Sequence, residues 1–405
     1  MAKKNDDFFA EKKPWSKVKD ELLGCYFQPY VQKILYTYKP LVYVDCFAGK
    51  GKFDDGNPGS PIIALNIIDD CLSKTTISQK PKIEKFFIDL NYASELQENL
   101  KSYNDVTIIS GRYEDKIDEI LENKKDYNVF LYIDPYGIKA LDCLKFDKLA
   151  NNRFKSIELL INMNSFGFLR EACRVQGIQF KTDDNFADLI EYEPSIFEVT
   201  NNSLQVSKEK LNNIAGGDYW IEIIEKYKNH QLSGYEAEEL FSEQYCKRLR
   251  RSYPYVLNMP IRLQQGQHTK YRMIHATKHK DGCLLMVDNI CNRWELLRDM
   301  QNSGQFTFFK ENINNEILNS RELENKIISH ISKYNDFISL DEAVANFFVD
   351  NGVICSRKNV TNILSKLEKS ERIKILRTPN TTKNGKTSTF MQENKDKKAS
   401  IKWIR

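Results

Sequence analysis

Three short stretches of the 405-residue chain place acids and glycines where small-molecule chemistry needs them. Asp45-Cys46-Phe47-Ala48-Gly49-Lys50-Gly51 ends an apolar run in a carboxylate and follows it with two glycines. Glycines suit a turn whose backbone comes close to a ligand, at φ values other residues resist. A turn that cradles a pyrophosphate reads GxGxxG. Here the third glycine is missing and Asp54-Asp55 follows. Those acids would repel phosphate, whereas the amino-acid ammonium of S-adenosylmethionine (SAM) tolerates them. No GxxxxGK[ST] occurs, which excludes a P-loop. Asp89 closes the next apolar run, where a carboxylate can accept both ribose hydroxyls of a nucleoside. After a third run, Arg112 stands where an acceptor for the adenine amino group is expected. Two readings stay open there: Glu114 or Asp115 takes that role, or apolar packing and backbone groups hold adenine.

The third stretch is Asp134-Pro135-Tyr136-Gly137. Methylation of an amine needs an acceptor that orients the NH₂ group and spreads its developing positive charge. An aspartate and the carbonyl of the following proline can do this. An aromatic face, here Tyr136, can grip a base flipped out of its stack. The competing structural reading of these stretches is a plain strand-to-helix turn and a proline turn that caps a core strand.

Other chemistries find little support. The nine cysteines are scattered singly with no CxxC pair, which argues for reduced thiols in a cytoplasm and against structural zinc or a disulfide framework. The five histidines form no HExxH or HxH spacing, so no metal enzyme is expected. No apolar stretch approaches the roughly 18 residues that span a bilayer. The N-terminus has no apolar signal region. Charge is unevenly spread: residues 351–405 carry 14 Lys/Arg against 4 Asp/Glu, a net of +10, and a total of +4 leaves −6 for the first 350. A basic tail suits nucleic acid, and equally a solvated surface.

The elements that must position these residues follow from hydrophobic periodicity. A helix is expected over 15–38 with a break or kink at Pro29. Strands at 41–47, 84–90, 106–111, 128–137 and 156–163 alternate with helices at 60–72, 93–103 and 114–124. That alternation predicts a parallel, doubly wound sheet. Residues 165–250 read as a helical insertion, and 256–263 and 270–278 as a late antiparallel pair about the turn QQGQHT. The expected class is α/β, a Rossmann-like methyltransferase domain over 1–317. Residues 318–405 read as a winged-helix domain: three helices, then a basic hairpin with the tip TPNTTKNGKT. Its third helix, with Arg357, Lys358 and Asn359, and the hairpin's Lys383 and Lys386 are candidates for DNA or RNA contact. Winged helices also serve protein contacts. Trp15, Trp220 and Trp294 read as core or interface aromatics, and His275 as a satisfied buried histidine. Arg170, Arg174 and the KRLRR cluster (247–251) line a nucleic-acid groove or form a solvated helix face.

Taken in order, D-x-F-A-G-x-G, the PGSP stretch (58–61), FFIDLN, YIDPYG and ATKHKDG (276–282) resemble the three-Cys-motif partner family. Its members are bacterial, Rossmann-like and related to SAM-dependent methyltransferases. They are named for pairing with a CxxxCxxC-motif protein, suspected to be a radical-SAM or iron–sulfur protein. The resemblance spans roughly residues 15–310. It implies SAM binding by Asp45, Phe47, Ala48, Gly49, Gly51 and Asp89, and catalysis by Asp134, Pro135 and Tyr136. Adenine amino-methyltransferases carry [D/N/S]PP[Y/F/W]; DPYG lacks the second proline and brings the aromatic one position early. Two functions are therefore expected: a SAM-dependent methyltransferase acting on an exocyclic amino group in nucleic acid, or a non-catalytic partner that recruits its companion to nucleic acid, as in phage defence.

Overall fold

The structure, a computed structural model, describes residues 9–12, 14–135, 137–178, 204–261, 269, 271–301 and 320–404. The described residues up to Lys278 form one compact unit and those from His279 another.

The first unit begins with α1 (Pro14–Leu35), then β1 (Leu41–Asp45), α2 (Ser60–Lys74), β2 (Ile83–Asp89) and α3 (Ala93–Asn99). It continues with β3 (Val106–Ser110), α4 (Tyr113–Leu121), β4 (Asn128–Ile133), α5 (Cys143–Ala150) and β5 (Ser156–Met163). Helices α6 (Ser165–Val175), α7 (Leu204–Ala215), α8 (Trp220–Lys228) and α9 (Gly234–Leu249) precede β6 (Tyr255–Ile261) and β7 (Tyr271–Thr277). The sheet order is β3-β2-β1-β4-β5-β7-β6. The first five strands are parallel, and β7 runs antiparallel to both β5 and β6. This is the Rossmann-like methyltransferase arrangement.

Every residue of β1 and β4 is buried, as central parallel strands covered on both faces require. On one face Tyr43 and Phe130 meet Phe27 of α1, with ring centroids 4.7 and 5.0 Å away. Helix α1 runs through Pro29 without a break. Tyr26, Phe27, Tyr30 and Val31 flank the proline and are buried. Their anchoring outweighs the roughly 3 kcal/mol that an interior proline costs. The other sheet face packs Val42, Val44, Val129 and Leu131 into one core with Phe168, Leu211, Trp220 and Tyr245. The described part of the 165–250 insertion is therefore a layer of the domain core. A polar cluster sits within β5 and β7: Glu158 accepts from the Tyr26 hydroxyl and lies 3.1 Å from His275 Nε2.

The second unit contains α10 (Lys280–Gln301), α11 (Ser320–Ile331), β8 (Ile338–Ser339), α12 (Leu340–Asn351), α13 (Arg357–Lys369), β9 (Ile373–Thr378) and β10 (Lys398–Trp403). From α11 onward this is winged-helix order, with an antiparallel sheet β8-β10-β9. Helix α10 packs on α12 and α13, burying Cys283, Leu284, Met286, Val287 and Ile290. Among the described residues the second unit begins with His279, inside the 1–317 range expected for the first domain. No helix among the described residues is long and apolar enough to cross a membrane.

Candidate functional site

At the carboxyl ends of the parallel strands lies a cleft open to solvent. Phe47, Ala48, Gly49 and Gly51 from the turn after β1 line it, together with Asp134 and Pro135 from the end of β4. Ser16, Lys19 and Asp20 of α1, Lys52, Ser60 of α2, Asn162 of β5, Asn164 and Tyr271 of β7 add polar groups to the wall. Neighbouring strand ends converge there because the sheet is parallel, so each βα turn opens on the same side. The chain thus brings two of the three sequence stretches together.

Asp45 lies just behind the wall. It is fully buried; its Oδ2 accepts from the Ser60 hydroxyl at 2.6 Å, and its Oδ1 accepts from the Phe47 N–H at 3.3 Å. Burial lifts its carboxyl to about 7 against those two hydrogen bonds, and Asp134 and Asp20 add to the rise. Asp20 is lifted by burial to about 6, against the Lys12 ammonium 2.6 Å away. Asp134 is held on two sides. Its Oδ1 accepts from Lys19 Nζ at 2.9 Å and from Asn162 Nδ2 at 2.7 Å, while Oδ2 lies 2.8 Å from the same ammonium. Tyr136 lies outside the described residues.

The two turn glycines have distinct reasons. Gly49 has φ +58°, and a Cβ there would stand 2.9 Å from the Phe9 ring. Gly51 has φ +74°, and a Cβ there would stand 2.7 Å from Leu96 of α3. Phe9 is buried against the turn, edge-on to Tyr92 at 4.9 Å and 5.9 Å from Phe53, with Lys50 Nζ 5.0 Å over its ring. Its carbonyl accepts from the Asp54 N–H at 2.8 Å, and Asp55 accepts from the Lys12 N–H at 3.0 Å. Asp54 and Asp55 thus tie down the N-terminal segment and do not line the cleft. Among the described residues the charges that line it are Asp20 and Asp134 opposed by Lys19 and Lys52.

Asp89 also stands off the cleft wall. Its carboxylate accepts from the Gly49 N–H at 2.9 Å, the Asn91 N–H at 2.8 Å and the Tyr92 N–H at 2.7 Å, so it joins the first and second turns. Glu114 and Asp115 lie in the first turn of α4 and do not line the cleft. Lys19, Asp20, Ser60 and Asn162 escaped the sequence reading. Ser60 appeared there only inside the PGSP stretch, and Asn162 only as a lone polar residue near the end of the apolar run SIELLINM. Among the described residues no group of His, Cys, Asp and Glu is placed to hold a metal ion.

In the second unit, Arg357 is 12% exposed and tied to Asp341 at 2.7 Å and Asp288 at 3.8 Å. Asn359 forms the capping box of α13 with Ser356. Lys358 is exposed and heads a stripe with Asn362, Lys366 and Lys369, all exposed and three or four residues apart. Lys383 and Lys386 are exposed at the tip of the wing. In the first unit, Arg248 of the KRLRR cluster holds Asp147 and the Gly216 carbonyl, and Arg174 pairs with Glu171. Trp220 is buried and donates to Asn212 at 2.8 Å. The side chains of Trp15 and Trp294 lie outside the described residues.

No protein-family profile matches the sequence, and no curated protein matches it. Among solved structures, it is similar to Trm1 from Pyrococcus horikoshii in complex with SAM, at 10% identity and a TM-score of 0.29. The match covers 71% of this chain and 62% of that one. The fold assignment above rests on strand order and not on this likeness.

Proposed function

We propose that the first unit is a SAM-dependent methyltransferase acting on nucleic acid, with an exocyclic amino group of a base as the favoured acceptor. One observation carries the reading: Asp134 and Pro135 after β4 line the same cleft as the glycine turn after β1. The cleft also suits a polar ligand, because Ser16 Oγ and Asn162 Oδ1 are buried in its lining residues without a hydrogen-bond partner among the described residues. Bound SAM would supply an electrophilic methyl carbon. Phe47, Ala48, Gly49 and Gly51 would hold it through the turn backbone, Asp45 through Ser60, and Asp89 through the lone pairs its three N–H bonds leave. Asp134 and the Pro135 carbonyl would orient the amine, with Tyr136 as the aromatic platform. In-line transfer then depends on positioning more than on acid–base help. In the second unit the Lys358, Asn362, Lys366 and Lys369 stripe and the wing lysines 383 and 386 would hold the polymer.

A second reading has its own support. The Asp134 carboxylate is already engaged by Lys19 and Asn162, which favours a methyltransferase-like partner without catalysis. Such a chain, of the three-Cys-motif partner kind, would recruit a CxxxCxxC-motif companion to nucleic acid, as in phage defence. Calorimetry of the full chain with SAM separates the two; a folded sample that gives no heat ends the catalytic reading. Tritium transfer from SAM to DNA, tRNA and protein pools, comparing wild type with Asp134→Asn, then tests the acceptor. Label that persists undiminished in the variant removes Asp134 from its role.

A further inference from the structure

The three-stranded sheet of the second unit has one face packed on its helices and one turned outward. Ile373, Ile375, Ala399 and Ile401 are buried, while Lys374, Leu376 and Lys398 alternate with them and are exposed. Register makes the outward face unusual. Lys374 and Lys402 are direct cross-strand partners, and like charges opposite one another destabilise a sheet. None of the ion pairs among the described residues involves Lys374, Lys398 or Lys402, whereas Lys280, Arg357 and Arg377 in the same unit pair with Glu393, Asp341 and Glu368. Between and beside the lysines stand apolar groups that water does not favour. Leu376 is 48% exposed and Phe337 40%, with Lys402 Nζ 5.0 Å over the Phe337 ring.

We propose that this outer face binds single-stranded nucleic acid, a surface separate from the α13 stripe. The inference rests on the reading that the protein's polymer is nucleic acid. Lys374, Lys398 and Lys402 take successive phosphates, which relieves the repulsion between the facing pair. Phe337 and Leu376 take the faces of unstacked bases, as aromatic platforms do in proteins that track single strands. A duplex presents phosphates but no base faces, and would leave both apolar side chains without a partner.

Fluorescence anisotropy of the full chain with a labelled 12-nucleotide oligo-dT, its RNA counterpart and a duplex of equal length tests this across a salt series. The Lys374→Gln, Lys398→Gln, Lys402→Gln variant should bind single strands at least about tenfold more weakly. Its log–log salt slope should shrink by about 2, three contacts at roughly 0.7 each. Phe337→Ala should weaken binding with the slope unchanged. The triple variant should not lower the melting temperature, since it removes a repulsion. Unchanged affinity in the triple variant, with binding lost on replacing Lys358, Lys366 and Lys369, overturns the proposal and leaves the nucleic-acid reading intact. Tighter binding to the duplex overturns it as well. If wild type binds no polymer and transfers no methyl group to nucleic acid, the underlying reading itself has failed.

Discussion

Asp45 and Asp20 give the cleft a pH signature. Both folded values, about 7 and about 6, lie above the ordinary 3.8. The folded state therefore keeps protons that the unfolded chain has lost between pH 4 and 7, and stability falls as pH rises through that window. Thermal melts of the ligand-free chain from pH 4.5 to 8 should show this decline, and Asp45→Asn should flatten it. A melting temperature that climbs steadily with pH would contradict the assignment. A cationic ligand favours the ionised carboxyls, so SAM should bind more tightly at pH 7.5 than at 5.5 with release of protons. Calorimetry in buffers of different ionisation enthalpy measures that release directly. Asp134 belongs to a different class, because its partner Lys19 is only 9% exposed. Asp134→Ala strands that ammonium at a cost of about 3 kcal/mol, visible in denaturant melts. Asp134→Asn keeps an acceptor and should lose activity, by about 100-fold, with much less loss of stability. Asp45 and Asp134 were legible because each ends an apolar run. Lys19 and Asp20 were not, since a charged pair in a helix looks the same whether it faces water or a cleft.

At the scale of elements, the glycine turn is held by what presses on it. Gly51→Ala places a Cβ at positive φ against Leu96 and should cost about 1–3 kcal/mol, measurable by urea unfolding. The N-terminal segment presses on the other glycine. With Phe9 edge-on to Tyr92 at 4.9 Å there is no space for a planar base between the two rings. If the cofactor's nucleoside lies along Gly49 towards Asp89, Phe9 competes for that place. Phe9→Ala should then tighten SAM binding, by about tenfold for one displaced aromatic ring. An unchanged dissociation constant would show that the ring and the nucleoside do not meet. The turn was recognisable from its glycines and the preceding strand. Its neighbours were not, because Phe9 and Leu96 reach it from 40 and 45 residues away.

At the scale of the molecule, the position of α10 decides how the chain can be cut. Truncation after residue 317 separates α10 from the helices that cover Cys283, Leu284, Met286, Val287 and Ile290. That product should aggregate, while a product ending at Lys278 should stay monodisperse in size-exclusion chromatography. The shorter product should also lose nucleic-acid affinity and most of its salt dependence.

Apolar runs alternating with amphipathic segments were enough to determine the parallel sheet, the late antiparallel pair and the helix-rich basic tail, because burial imposes its period directly on the sequence. Strand ends carrying Asp45, Asp89 and Asp134 were located for the same reason. Which of those acids meets the cleft was decided only by tertiary structure. Asp134 lines it, Asp45 stands behind Ser60, and Asp89 stands off the wall, accepting from three backbone donors. The tail behaves alike: its charge was countable, but only the fold separates Arg357 and Arg377, bound to carboxylates, from the lysines left facing outward. Periodicity records whether a residue is covered; the partner that covers it is set by contacts between distant segments, and no local pattern encodes those.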